Sequence, residues 1–440
     1  RPVRRRGPTD SGGTDAFEQQ DALYTICVRG IENGIPVEEN IISSSISRVV
    51  SAVDKWDEIL KLATKASLKL IISNTTEVGI TLVNESIHQN PPVSFPAKLL
   101  AVLYSRYKEI NSDDADIVII ATELIPDNGK VLESIVYKLA DFNKLEPEFF
   151  DWLKQHAFFC NSLVDRIIPG KPDGENLGAL ESSLGYKDNL LIMAEPYRLW
   201  AIEADEKVAQ IIDLESSDPG VIIKPDIEIY RELKVRLLNG THTLASGIAY
   251  LSGIDTVSNA MNNQLLKSYI KGVMLEEIVP AIPYEVDHDE AVNFSHTVLD
   301  RFANPYINHL WINITLQYSM KMKIRIIPVL IQYYKNFGTV PESIAFGFAA
   351  YLTFMRASIK KDNQYYGIYQ EKEYLINDDQ ASYFYDKADF DDSRYIQVVT
   401  TDESLWGVNL SDFKGFIDSV EEKYHYITKH GITAGLSRIF

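Results

Sequence analysis

LKLIISNTT, residues 68–76, runs from an apolar core of Leu70, Ile71 and Ile72 into a cluster of small polar side chains. The apolar part is too short for an ordinary helix and is β-branched, so it reads as a buried strand. ADIVIIATEL (115–124) repeats the pattern, with Thr122-Glu123 at its end, and LYTICVRG (23–30) also has a strand composition. Helical spacing of apolar residues fills the intervals, in VSAVDKWDEILKLAT (50–64), FPAKLLAVLYSRYKEI (95–110) and KVLESIVYKLADF (130–142). Short apolar strands alternating with helices predict βαβ units around a parallel sheet. Such sheets bind ligands beyond the carboxyl ends of their strands. Asn74, Thr75, Thr76 and Glu77 stand at one such end, although ordinary loop polarity would place similar residues there.

The texture changes near residue 225. Helical patterns dominate over 226–238, 256–279, 305–320, 340–360 and 410–428, and a mostly helical second domain is expected. LESSDPGVIIKPD (214–226) reads as the linker, which divides the chain into domains 1–224 and 225–440. The acidic, Tyr-rich stretch 362–395 reads as an irregular excursion or crossing loop. A chain of 440 residues with 45% apolar content has material for two cores. Its net charge of −19 argues against nucleic-acid binding, because the phosphate backbone is repelled, but it permits a local basic pocket for a small anion. Only two cysteines occur, Cys27 and Cys160, which fits a reduced, cytoplasmic compartment. No apolar run approaches the ~18 residues of a membrane span, and no signal peptide is visible. The opening RPVRRRGPTDSGG reads as a loop without an initiator Met, so the natural chain is expected to begin earlier.

KVRLLNGTH (234–242) places three polar side chains in an apolar run. Lys234, Leu238 and His242 are spaced by four, and Asn239 lies about a sixth of a turn from His242, so the polar groups converge beside one helix. An amphipathic helix with a solvated lysine has the same spacing. DHDE (287–290) surrounds His288 with acids, but it falls where a helix N-cap is expected. Cysteine-based zinc patterns are absent, and no metal site is expected. No G-x-G-x-x-G occurs.

The K-x-x-x-x-N-x-x-H helix, together with NSLVDRI (161–167) and EPYRLW (195–200), resembles the polyol-specific long-chain dehydrogenase family, which includes mannitol 2-dehydrogenase. SNTTEVGI (73–80), SFPAKL (94–99), RFANPYINH (301–309) and KMKIRIIP (321–328) resemble its tagaturonate reductase (altronate oxidoreductase) branch. The resemblance runs from about residue 20 to beyond 350. It implies an N-terminal Rossmann-like dinucleotide-binding domain, here N-terminally incomplete, and a helical C-terminal catalytic domain. It further implies NAD as cofactor, a small sugar-acid substrate, metal-independent hydride transfer, and neither nucleic acid nor membrane as partner. Lys234, Asn239 and His242 match the family's catalytic residues, with Asn161 as a fourth, and Asn74 to Glu77 become cofactor-loop candidates. Two departures stand out: the family's early G-x-G-x-F run is missing, and the arginine that mannitol-type members carry near Asn313 is absent.

The implied chemistry is coherent. Reduction of a ketone needs a proton for the carbonyl oxygen, which a lysine supplies; the reverse needs a lysine that is partly neutral, and burial or neighbouring positive charge lowers a lysine's pKa. Asn161 and Asn239 can donate to the oxygen on which charge develops, and His242 can hold a substrate oxygen. A carboxylate wants a basic partner, and Lys321 and Arg325, four apart on an expected helical face, are the candidates, with a solvated basic face as the alternative. The expected reaction interconverts tagaturonate and altronate. Fructuronate or a mannitol-type polyol would keep the chemistry and change the substrate. An inactive sugar-acid-binding or scaffold protein is the reading from another class, and only the missing glycine run favours it.

Overall fold

The computed structural model describes residues 15–76, 78–110, 113–172 and 174–439. They form two compact units, one containing Glu38–Ile227 and the chain up to Arg29, the other containing Gly30–Val37 and the chain from Glu228 onward. None of the described helices is long and apolar enough to cross a membrane.

The first unit is built on a parallel sheet of Leu70–Ser73, Ile117–Ala121 and Ala157–Cys160, in that order. Every residue of the middle strand is buried, as a strand covered on both faces requires. Helix Phe95–Glu109 starts where Ser94 accepts a hydrogen bond from the Ala97 N–H (3.3 Å) and Pro96 fills the first turn. This helix, Asn128–Phe142 and Pro147–His156 bury Leu99, Leu103, Leu132, Val136 and Phe149 in one core with the sheet. The helix expected over 50–64 begins only at Trp56. Trp56, Ile59 and Leu60 reach the core, whereas Val53 is 65% exposed.

After Cys160 the chain leaves the parallel sheet. Ser162–Asp165 pairs antiparallel with Leu199–Glu203, which pairs parallel with Val221–Lys224. Asn161 is therefore the single residue between two sheets. The stretch expected as a linker, 214–226, contains this last strand; its apolar VII run pairs into a sheet and so is not free linker. A third sheet holds Tyr24–Glu32 between Ile35–Ser43 and Ile192–Ala194, with Asn33 and Gly34 both at positive φ in the tight turn.

The second unit is mostly helical. Thr241–Leu251, buried at every position but Tyr250, packs on Glu342–Met355. A Cβ at Gly347 would lie 2.8 Å from the Leu244 side chain, so glycine there sets how closely the two helices approach. The expected helix 226–238 is α-helical only over Glu228–Leu233 and becomes a π-helix over Lys234–Gly240. The expected helix 256–279 breaks at Asn263, whose side chain caps the next helix by accepting from Leu266 N–H (3.1 Å), and it ends in a π-helix over Val273–Ile278. The expected helix 305–320 is reduced to Trp311–Ile314 and Tyr318–Lys321. There the backbone of His309 and Trp311 bonds instead to Val257 and Asp255, and Gln317 is left-handed. The supposed excursion 362–395 opens with a three-stranded antiparallel sheet, Ile359–Lys361, Gln364–Tyr369 and Lys372–Ile376. Its turns, Asp362-Asn363 and Gln370-Glu371, have positive φ without glycine, which hides them from a turn reading based on glycine.

Gly129, at the start of Asn128–Phe142, lets that helix touch the end of Ala157–Cys160: an added Cβ would sit 2.4 Å from the Cys160 carbonyl. Gly129→Ala is expected to destabilise the first unit by about 1–3 kcal/mol through forced overpacking. Chemical denaturation monitored by tryptophan fluorescence measures it, and an unchanged midpoint would contradict the close approach.

Candidate functional site

At the carboxyl end of the parallel sheet, Glu123 gathers the loop that follows Leu70–Ser73. Its Oε1 accepts from the Ser73 hydroxyl (2.5 Å), the Thr75 hydroxyl (2.8 Å) and the Thr75 N–H (2.8 Å), and its Oε2 accepts from the Thr122 N–H (3.1 Å). Thr75 thus anchors the loop, while Asn74 and Thr76 remain exposed. Glu77, also expected here, lies outside the described residues. Ile72, Val78 and Leu124 are 48%, 81% and 56% exposed beside these polar groups. Apolar surface next to exposed amide and hydroxyl groups, at the carboxyl end of parallel strands, suits the ring and ribose of a dinucleotide.

Asn161 is buried, and its amide is used on both sides. Its Oδ1 accepts from the Lys130 N–H (3.1 Å) and its Nδ2 donates to Glu203 Oε2 (3.1 Å), which leaves one amide hydrogen for another acceptor. Asn128 fixes the next residue, exchanging hydrogen bonds with Ser162 N–H (3.0 Å) and C=O (2.9 Å).

In the second unit the K-x-x-x-x-N-x-x-H run is not one α-helix. Lys234 and Asn239 belong to the π-helical turn and His242 to the α-helix after it. An i→i+5 turn brings residues five apart close to one face, so Lys234 and Asn239 align better than α-helical spacing allows. Lys321 and Arg325 likewise fall outside one regular α-helix: Lys321 ends a short helix and Arg325 lies in the π-helix Met322–Ile326. Their charges nevertheless act on each other and on His242. Arg325 Nη1 donates to the Asn239 carbonyl (3.3 Å) and to Thr243 Oγ1 (3.1 Å). Among the described residues its Nε and Nη2 make no hydrogen bond and it has no carboxylate partner. Lys321 Nζ donates to the Ile314 carbonyl (2.8 Å).

The His242 ring stacks on Phe302 (centroids 4.0 Å apart) and meets His309 and Trp311 edge-on. Its Nε2 is buried without a partner among the described residues, as is Thr241 Oγ1. Burial holds the imidazole well below its ordinary range, and the charges of His309, Arg325, Arg301 and Lys321 add to the effect. His309 is lowered by burial and by Lys321. Burial, then Arg325, pushes Lys321 down to about 8 against the pull of Asp378, and burial brings Arg325 to about 10, still charged at neutral pH. The result is a neutral imidazole with a buried, unpartnered nitrogen among cations, an arrangement suited to an anionic, oxygen-rich molecule.

Family models match 10–216 as the mannitol dehydrogenase Rossmann domain and 226–428 as the mannitol dehydrogenase C-terminal domain. The chain belongs to the mannitol dehydrogenase family. It is an oxidoreductase with a Rossmann domain followed by a helical domain. Altronate oxidoreductase of Halalkalibacterium halodurans is 34% identical over 435 residues, covering 96% of this chain and 84% of its own length. Altronate oxidoreductase of Escherichia coli is 32% identical over 428 residues, covering 97% and 88%. Among solved structures, Pseudomonas fluorescens mannitol 2-dehydrogenase in complex with NAD and D-mannitol has a TM-score of 0.60 at 22% identity, covering 97% of this chain and 85% of its own. A substrate-free D-sorbitol dehydrogenase has a TM-score of 0.73 at 18% identity, covering 98% and 87%. The two solved structures share the fold.

Thr122-Glu123 stood out as a strand end, but spacing alone did not point to Glu203, Arg236, His309 or Thr243. His309 did lie inside the RFANPYINH motif. The acid cluster at 287–290 acts as a cap, Asp287 accepting from Glu290 N–H (3.1 Å).

A histidine kept neutral by burial makes stability pH-dependent. Its folded pKa lies below the ordinary 6.5, so the unfolded chain takes up the proton first and stability falls as the pH drops through about 6.5. The Tm difference between the wild type and His242→Asn is expected to narrow from pH 7.5 to 5.5. A constant difference would place the imidazole in water.

Proposed function

We propose that the protein is an NAD-dependent hexuronate reductase that interconverts tagaturonate and altronate. The observation that carries the substrate class is the Arg325 guanidinium, tied through Nη1 and open along its Nε–Nη2 edge. That edge matches a carboxylate in two parallel hydrogen bonds. The relatives named altronate oxidoreductase support the same class.

The cofactor supplies or takes up the hydride. Asn74 and Thr76, with the apolar surface of Ile72, Val78 and Leu124, are the residues that would hold it, on a loop fixed by Glu123. In the reductive direction Lys234 gives its Nζ proton to the carbonyl oxygen, and in the oxidative direction it takes the hydroxyl proton back. The Asn239 side chain, without a hydrogen-bond partner among the described residues, is the proposed donor to that oxygen, and Asn161 keeps one amide hydrogen for a ligand of the first unit. His242 Nε2, neutral and unpartnered, receives or donates a hydrogen bond at a substrate hydroxyl. Lys321 and Arg325 hold the carboxylate.

Two measurements test the roles. Lys234→Ala should lower kcat by ~10²–10⁴-fold, the usual share of a general acid–base, with far-ultraviolet circular dichroism unchanged; retention of half the wild-type kcat would remove Lys234 from the role. Arg325→Ala should lower kcat/KM for tagaturonate by about 10–150-fold, since a charge-assisted hydrogen bond is worth roughly 1.5–3 kcal/mol, and should barely alter the rate on an uncharged ketohexose. A wild-type enzyme that reduces fructose faster than any keto-uronate would overturn the substrate assignment.

A further inference from the structure

Arg236 belongs to the same π-helical turn as Lys234 and Asn239, but its guanidinium is taken up by protein partners. It is 8% exposed. Its Nε and Nη2 donate to the two carboxylate oxygens of Glu232 (2.9 and 3.2 Å), and its Nη1 donates to the carbonyls of Ile324 (2.6 Å) and Arg325 (3.1 Å). Those carbonyls lie in the π-helix Met322–Ile326. Where an i→i+5 turn returns to i→i+4 spacing, the hydrogen-bond register shifts by one and a carbonyl is left over, which must find another donor if it is buried. Each π-helical turn finds its extra donor in the arginine of the other. Arg236 serves the 322–326 turn, while Arg325 serves the Asn239 carbonyl with help from the Thr243 hydroxyl (2.8 Å).

The two arginines differ in what remains free. Arg236 has hydrogen bonds at all three nitrogens and its charge is matched by Glu232. Arg325 has them at Nη1 alone among the described residues. We propose that Arg236, braced by Glu232, is a positioning residue: by fixing the Ile324 and Arg325 carbonyls it sets the direction in which the open edge of Arg325 meets a carboxylate. This rests on the reading of Arg325 as the carboxylate ligand. A lysine at 236 cannot replace it, because one ammonium cannot take a bidentate carboxylate on one side and two carbonyls on the other in a fixed plane.

The test uses the full chain and two variants, Arg236→Lys and Glu232→Gln. Arg236→Lys should reduce the preference for tagaturonate over an uncharged ketohexose, as the ratio of kcat/KM values, by about tenfold, with KM for tagaturonate moving more than kcat. Glu232→Gln keeps the shape and removes the charge; it should shift the ratio the same way by a smaller factor. Adding Arg236→Lys to Arg325→Ala should cost no further preference, because Arg236 acts only through Arg325. Amide hydrogen exchange supplies a readout independent of substrate: residues 322–328 should exchange faster in Arg236→Lys, with helix Phe416–His430 unchanged. A wild type without preference for the carboxylate would defeat the reading of Arg325, and the exchange arm would still judge the clamp. Unchanged exchange, an unchanged ratio, or equal losses on both substrates would overturn the positioning role.

Discussion

Two arginines crossing between two π-helical turns hold the functional half of the second unit in place. Lys234–Gly240 and Met322–Ile326 are far apart in sequence, and neither turn satisfies its own backbone as an α-helix would. Arg236 and Arg325 supply the missing donors reciprocally, and all four recipient atoms are oxygens in or beside the opposite turn. A π-helical turn is less stable than the α-helix it interrupts, and it persists where tertiary contacts demand it. Here the contacts fall on the backbone carbonyls of Asn239 and Arg325, the two residues proposed to meet the substrate. The candidate catalytic segment and the candidate carboxylate segment are consequently one mechanical unit.

The first unit solves a similar problem with carboxylates. Glu123 collects three hydrogen bonds at one oxygen to shape the loop after Leu70–Ser73, and Glu203 holds the amide of Asn161 between two sheets. In both places a short polar segment follows a strand of the parallel sheet. An acidic side chain within reach adds side-chain hydrogen bonds to those of the backbone, and Asn161 is held in one orientation.

The strand in ADIVIIATEL was legible because burial on both faces leaves an unbroken apolar run, that in LKLIISNTT because its short apolar run ends in small polar residues although Ile72 proves exposed, and SFPAKL because Ser94 and Pro96 mark a helix start. The polar members of the candidate site were legible from the family pattern rather than from spacing. The K-x-x-x-x-N-x-x-H run even misled on geometry, since α-helical periodicity was applied to a turn that is π-helical. Nothing in KVRLLNG announces that turn; the donor that meets its Asn239 carbonyl, Arg325, lies more than eighty residues further on. The hairpins at 359–376 escaped for the opposite reason: local turn chemistry was present, but Asp-Asn and Gln-Glu carry the left-handed conformation without glycine.

The charge arrangement has a direction that the net charge conceals. A chain of −19 gathers Lys321, Arg325, Arg301 and His309 around one buried imidazole, and the charged state of nearly every group there is opposed by burial or by its neighbours. Lys321 at about 8 and the neutral His242 record that opposition. Such a cluster weakens the folded state on its own, because like charges are held close in a medium that screens them poorly. An anion placed among them removes the repulsion and satisfies the open Arg325 edge, and a hydroxyl placed against His242 Nε2 satisfies a buried atom that otherwise costs about 1–3 kcal/mol. In the proposed reading these interactions suit a molecule with a carboxylate at one end and hydroxyls along its length. Under the proposed reading, a neutral polyol would meet the imidazole but leave the cations unmatched, whereas a sugar acid would meet both.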